Sequence, residues 1–328
     1  MRKRLLLILA VLVLSVLPML HGAARAQQGT TLLLYMIGGD LEQDSGAASA
    51  DLRELLAAPL PEGLRVIVLT GGAPEWELPG VADGAVQVSE ISCGQLTLLA
   101  CWRDVSCGEA AVLDRFLREY APEAGDIVLV FWGHGCPGLD GVGHDLLNGD
   151  DTLTIPEMTE VLAALPFRVT AVGFDACSMA KVEVAALLSP WTDWFIASPA
   201  PEALSGWPYR AWVKLFGGDV EQWLTALRQQ TVLRWQREKE ASGLTVLSLR
   251  DMEAYAQELA LLFRSNGGYP GCTLAELAGE DEALTRLMED WMNGQTLRTG
   301  VYGEVLPTAL RDMPVLEGAY AQWLQRVR

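Results

Sequence analysis

From residue 31 onward the chain alternates between two hydrophobic rhythms. Short, almost continuous apolar runs occupy residues 31–37 (TLLLYMI), 64–70 (LRVIVLT), 126–132 (DIVLVFW) and 168–174 (RVTAVGF). Runs of this length without polar alternation read as strands buried on both faces. Between them lie stretches with helical spacing, over about residues 49–57, 109–120, 156–165 and 179–188. Residues 85–105 read as short strands forming a hairpin, and 194–197 and 244–249 as further short strands. Strand and helix in repeated succession predict an α/β fold, a mainly parallel sheet with helices on both faces. From about residue 250 the pattern becomes amphipathic and rich in Trp and Leu, which predicts a helical C-terminal extension or subdomain over 251–328.

The first residues follow a different rule. A basic opening, Met1-Arg2-Lys3-Arg4, precedes an apolar run over residues 5–20 and a small-residue site, Ala24-Arg25-Ala26. This is the composition of a secretory signal peptide over residues 1–26, with export to the extracellular space or periplasm. The run contains Pro18 and falls short of the ~20 apolar residues of a membrane span, so no stable membrane association is expected after its removal. The main globular domain is placed at residues 27–250.

Charge narrows the partners. The whole chain carries a formal net charge of −18, and residues 1–26 contain four bases and no acid, so their loss takes it to about −22. Such a surface repels nucleic acid and anionic membranes and favours cationic peptides or Ca²⁺. Six cysteines in a chain of 328 residues do not make a disulfide scaffold. The absence of any Cys-x-x-Cys pair excludes zinc-ribbon and thioredoxin chemistry. Two of Cys93, Cys101 and Cys107 lie close enough in sequence to pair in an oxidising compartment.

Three histidines limit the chemistry further, since His21 belongs to the signal segment and only His134 and His144 remain. His134 follows the apolar run 126–132 directly, within Gly133-His134-Gly135. Cys177 holds the corresponding place after the run 168–174. Sites in open α/β sheets form outside the carboxyl ends of strands, so the two strands would deliver an imidazole and a thiol to one crevice. A helix starting just after Cys177 would favour the thiolate. His134 would then accept the thiol proton and return it to a leaving amine. The backbone N–H groups of Gly135 and Cys177 are candidate oxyanion donors. Spacing by itself also fits a buried, inert cysteine.

An ordered series of motifs resembles the clostripain family of cysteine peptidases, relatives of caspases and gingipains in fold. It runs over about residues 31–215: Tyr35–Glu42 (YMIGGDLE), Gly46–Leu52 (GAASADL), Phe131–Gly135 (FWGHG), Gly141–Asp145 (GVGHD), Asp151–Glu157 (DTLTIPE), Gly173–Met179 (GFDACSM), Val182–Val184 (VEV) and Ala197–Tyr209 (ASPAPEALSGWPY). The resemblance implies a caspase-like fold and a His134/Cys177 dyad with no third orienting acid. It also implies a specificity pocket lined by Asp175, Glu202, Ser205 and Trp207, and a peptide or protein substrate; a monomer is expected. A carboxylate at Asp175 would pair with Arg or Lys before the scissile bond; read alone, the same residue fits a strand-end or helix-capping acid.

Three departures from the family matter. Ser205 stands where basic-specific members carry an extra acid. No Lys or Arg occurs from Tyr120 through Phe167, so self-cleavage between His134 and Cys177 is not expected and the enzyme should act as a single chain. Cys136 and Pro137 stand where relatives commonly run through glycines; Cys136 is read as a disulfide partner in an oxidising compartment, with a redox brake or a neutral substitution as the alternatives. His144 reads as a loop residue. Asp140, Asp145, Asp150 and Asp151 form an acidic loop, solvated or an oxygen-ligand site for Ca²⁺ as an optional cofactor. The competing functional class is a catalytically silent relative that binds peptides or a partner protein in the same crevice.

Overall fold

In the computed structural model, the described residues are 29–136, 140–198, 200–216, 219–239 and 243–249. The expected signal peptide, the C-terminal extension 251–328 and Cys272 lie outside them. The apolar runs form the strands they predict: β1 (Thr30–Ile37), β2 (Leu64–Gly71), the hairpin β3 (Val86–Ser92) and β4 (Gln95–Trp102), and β5 (Asp126–Trp132). A small separate hairpin, β6 (Val142–Asp145) and β7 (Asp151–Leu153), precedes β8 (Val169–Asp175), β9 (Thr192–Ala197) and β10 (Thr245–Ser248). Eight of them make one sheet in the order β10-β9-β8-β5-β1-β2-β3-β4. The five inner strands β9, β8, β5, β1 and β2 are parallel, while β10 and the β3–β4 hairpin add antiparallel edges.

Side chains of successive strand residues leave opposite faces, and β1 sorts accordingly into two cores. Leu33, Tyr35 and Ile37 face one apolar layer with Phe116, Leu117, Met158, Leu162 and Val184. Those partners come from α3 (Ala110–Tyr120), α4 (Ile155–Ala164) and α5 (Val182–Leu188). Leu32, Leu34 and Met36 face the other layer with Leu52, Leu55, Trp212, Trp223, Leu227 and Trp235. These belong to α2 (Ala47–Leu56), α6 (Tyr209–Trp212) and α7 (Val220–Arg237), while a short α1 (Gly39–Ser45) follows β1 directly. Helix starts follow local chemistry. Thr154 caps α4 in a reciprocal box with Glu157, and the Asp219 carboxylate accepts from the N–H groups of Glu221 and Gln222 at the head of α7. No helix among the described residues is long and apolar enough to cross a membrane.

The helix expected from residue 179 begins instead at Val182. Ser178 takes a left-handed φ of 56°. Ser178 N–H and Ala180 N–H donate to Ala200 and Ser198 carbonyls, which pins residues 178–180 alongside the segment after β9. Cys177 therefore does not sit at a helix N-terminus, and the dipole expected to favour its thiolate is absent there.

Candidate active site

The order of strand addition reverses at β1, with β2 added on one side and β5 on the other. Crevices in open α/β sheets open at such switch points, and β1, β5 and β8 end side by side there. Trp132 of β5 is in register with Asp175 of β8, so His134 and Cys177, each two residues further on, leave neighbouring strand ends at the same level. The Gly135 backbone lies directly against that of Cys177. A Cβ added to Gly135 would stand 1.8 Å from the Cys177 carbonyl oxygen, so only glycine fits beside the cysteine. Gly133 has a φ of 149°, and its N–H donates to the Asp175 carbonyl (3.3 Å).

The small hairpin fixes the histidine loop. Gly143 N–H donates to the His134 carbonyl (2.8 Å) and Cys136 N–H to the Gly141 carbonyl (2.9 Å). These bonds bracket Gly135 without using its own N–H. Among the described residues neither Gly135 N–H nor Cys177 N–H has an acceptor, as oxyanion donors require. The His134 ring is about one-third exposed, and its Nε2 lies 2.9 Å from Asp40 Oδ1. The ring also meets His144 edge-on at 5.4 Å. The Cys177 Sγ is half-buried and accepts the Glu202 backbone N–H at 3.3 Å.

The residues expected to line a specificity pocket divide. Asp175 and Glu202 come together, with Asp51 of α2 as a third acid that the sequence reading did not assign. The buried Asp175 Oδ2 accepts the Tyr209 hydroxyl (2.8 Å) and the Trp207 N–H (3.3 Å). Burial pushes the Asp175 carboxyl up to about 6 against the pull of hydrogen bonds from Glu202, Tyr209 and Trp207. Burial, then the Asp175 charge, pushes the Glu202 carboxyl well up, and its Oε1 has no hydrogen-bond partner among the described residues. Asp51 is pushed up by the same two causes, opposed by the Trp132 indole N–H at 2.8 Å. An added Cβ at Gly206 would lie 3.0 Å from Asp51 Oδ2 and 3.2 Å from Asp175 Oδ2. Gly206 thus sits against both carboxylates.

The other two pocket candidates act differently. The Trp207 ring is fully buried against Gly173 and Trp212, so it offers no exposed aromatic wall, while its backbone N–H donates to Asp175. The Ser205 hydroxyl donates to Glu238 at the end of α7.

Further expectations meet the geometry less well. All five described cysteines are free thiols, so neither the pairing within Cys93, Cys101 and Cys107 nor the Cys136 disulfide is found. Cys107 is instead buried with its Sγ 3.1 Å from Asp145 Oδ2, and burial raises its thiol pKa well above the ordinary value. The Cys136 Sγ lies 3.8 Å from the Gly143 carbonyl and 3.9 Å from His144 Nε2. The acidic loop does not converge on one centre. Asp145 is buried and turned inward, accepting from Ser106, Cys107, Leu147 and Asn148, while the Asp151 carboxylate lies against Gly108. Among the described residues no three acid, histidine or cysteine groups form a set that could hold a metal.

Solved structures of cysteine proteases share this fold. A secreted C11 cysteine protease from Bacteroides thetaiotaomicron, solved with an irreversible peptide inhibitor, is 20% identical with a TM-score of 0.58, covering 72% of this chain and 70% of its own. Another structure, titled as the secreted C11 protease "iotapain" of the same organism, is 16% identical with a TM-score of 0.60, over 77% and 74%. An inactive C11 zymogen from Parabacteroides distasonis is 16% identical with a TM-score of 0.60, over 90% and 94%. These likenesses define the α/β, caspase-like fold. No curated protein matches. The clostripain family model matches residues 34–242, a span that holds every site residue named above; the chain belongs to the clostripain family of cysteine-type endopeptidases.

Proposed function

We propose that this enzyme is exported through its N-terminal signal segment and hydrolyses peptide bonds by acyl-thioester formation at Cys177, with His134 as the base. The observation that carries the reading is the parallel register of Trp132 and Asp175, which sets an imidazole and a thiol on adjacent strand ends with glycine-only backbone contact between them. His134 takes the thiol proton as Sγ attacks the scissile carbonyl. The N–H groups of Gly135 and Cys177 receive the developing oxyanion, and the imidazolium protonates the leaving amine. Water, deprotonated by the same imidazole, then releases the acyl group and regenerates the thiol.

A side chain preceding the scissile bond would meet Asp175 and Glu202, which supports Arg or Lys there. Asp175 already holds Tyr209 and Trp207 and Ser205 adds no charge, so the basic preference is expected to be partial and not strict. Peptidyl chloromethyl ketones carrying Lys, Arg or a neutral residue next to the warhead test both points. Modification of Cys177, fastest with the basic probes, is expected. No labelling by any probe would favour the silent peptide-binding class.

A further inference from the structure

The carboxylate at Asp40 has no role in a two-residue mechanism, yet it touches the base. Asp40 and His134 are 94 residues apart in sequence, with Asp40 Oδ1 2.9 Å from His134 Nε2. Sheet topology causes the meeting. Met36 and Trp132 are in register on adjacent parallel strands, and the chain continues from one into α1 and from the other into the histidine loop. Among the described residues Asp40 forms no ion pair with Lys or Arg.

The turn presenting Asp40 is held from several sides. Gly38 N–H donates to the Gly71 carbonyl (2.8 Å). Gly39 adopts a left-handed φ of 51°, and a Cβ there would come within 2.6 Å of the His144 carbonyl. Two residues beyond Asp40, the buried Glu42 carboxylate accepts from Ser49 N–H, Ser49 hydroxyl and Glu77 N–H at 2.8 Å or less. This buried anchor fixes α1 to α2 and to the loop after β2. A side chain on a merely solvated turn would not need such support.

We infer that Asp40 is a positioning residue that sets the tautomer and orientation of His134, which makes the site a Cys177–His134–Asp40 assembly. The inference rests on the dyad reading proposed above. An ionised carboxylate can only accept hydrogen bonds, so its contact at Nε2 requires the proton there and leaves the Nδ1 lone pair to take the thiol proton. When His134 becomes an imidazolium, the same carboxylate lies against the new charge. The proton that Nδ1 gains comes from Sγ and passes to the leaving amine, while the Nε2 proton stays in place throughout. Both groups are partly exposed, so simple charge pairing is screened and the larger effect is expected from the tautomer.

The test compares full-length parent enzyme with Asp40→Ala, Asp40→Glu and Cys177→Ala. Asp40→Ala should lower kcat by about ten- to hundredfold, at or below the lower end of the ~10²–10⁴ that general acid–base catalysis supplies, because the base itself remains, and leave KM within about twofold. Asp40→Glu should recover part of the loss. With ¹⁵N-labelled histidine, and only three histidines in the chain, the Nε2–H tautomer of His134 should be seen in parent and Cys177→Ala and be lost in Asp40→Ala. A kcat within twofold of the parent, a loss confined to KM, or an unchanged tautomer would overturn the role of Asp40 and leave the dyad standing. Activity surviving in Cys177→Ala would instead overturn the dyad itself.

Discussion

Replacing Asp175 by Asn should stabilise this enzyme at alkaline pH and do little at acid pH. The Asp175 carboxyl is enclosed and titrates at about 6 in the folded protein, against an ordinary value of 3.8. The folded state therefore holds that proton more tightly than the unfolded chain does. The stabilising contribution is complete below pH ~4 and is lost as pH rises through about 6. At about 1.4 kcal/mol for each pH unit between the two values, the buried charge costs the folded state about 3 kcal/mol at pH 8. Asparagine has the same shape. Its carbonyl can still accept from Tyr209 and Trp207, the two donors that Asp175 holds, and its amide can donate to Glu202. Allowing for imperfect hydrogen bonding of that amide, a gain of about 1–3 kcal/mol at pH 8 is expected. For a domain of this size that corresponds to a melting temperature higher by about 2–10 °C. Urea unfolding of parent and Asp175→Asn at pH 4 and pH 8 measures the difference at each pH, so charges common to both proteins cancel. A gain of equal size at both pH values, or a loss at pH 8, would refute the reasoning. Reaction with Lys- or Arg-bearing probes should weaken in the same variant, because the carboxylate proposed to receive the basic group is gone.

Gly135→Ala should reduce turnover by at least about a hundredfold, because its Cβ would lie 1.8 Å from the Cys177 carbonyl oxygen and misplacement by an ångström suffices for losses of that order; steady-state kinetics with a fold check by circular dichroism reads it. Asp145→Ala should lower stability by about 3–5 kcal/mol, since it strands the buried donors of Ser106, Cys107 and Leu147; chemical denaturation measures it. The purified enzyme should run as a single chain on denaturing gels, since residues 121–167 offer no Lys or Arg. A two-chain product that disappears in Cys177→Ala and maps between 135 and 167 would contradict this.

The sheet was legible because its strands are buried on both faces. No polar alternation interrupts TLLLYMI or DIVLVFW, and both form strands within a residue of their expected limits. Local pattern served less well where long-range contacts decide. The long helix α7 was not anticipated, although Trp223, Leu227, Thr231 and Trp235 mark one buried face every four residues. Its arginines and glutamines dilute that stripe, and only the indoles packed beneath the sheet show how deep it lies. The β6–β7 hairpin has strands of only four and three residues, and its two buried apolar positions, Val142 and Leu153, are too few to set a periodicity. It nevertheless holds the histidine loop in place. The early start expected for α5 failed for the same reason: a positive φ at Ser178 is enforced by backbone partners twenty residues away.

The site divides along the same line. His134 and Cys177 could be proposed from the sequence because each follows a readable strand, and sites in open α/β sheets form at strand ends. The acids around them could not be ranked that way. Asp40, Asp51 and Asp175 all lie in motifs visible in the sequence, yet their surroundings differ in kind. Asp51 and Asp175 are buried beside one another with their carboxyls pushed up, whereas Asp40 is half-exposed and directed at an imidazole. A carboxylate's role depends on its partners, and those arrive from β5, from the segment around Trp207 and from α6, all distant in sequence. Register between β1 and β5 therefore carries information that no local motif holds: it determines which acid can reach His134.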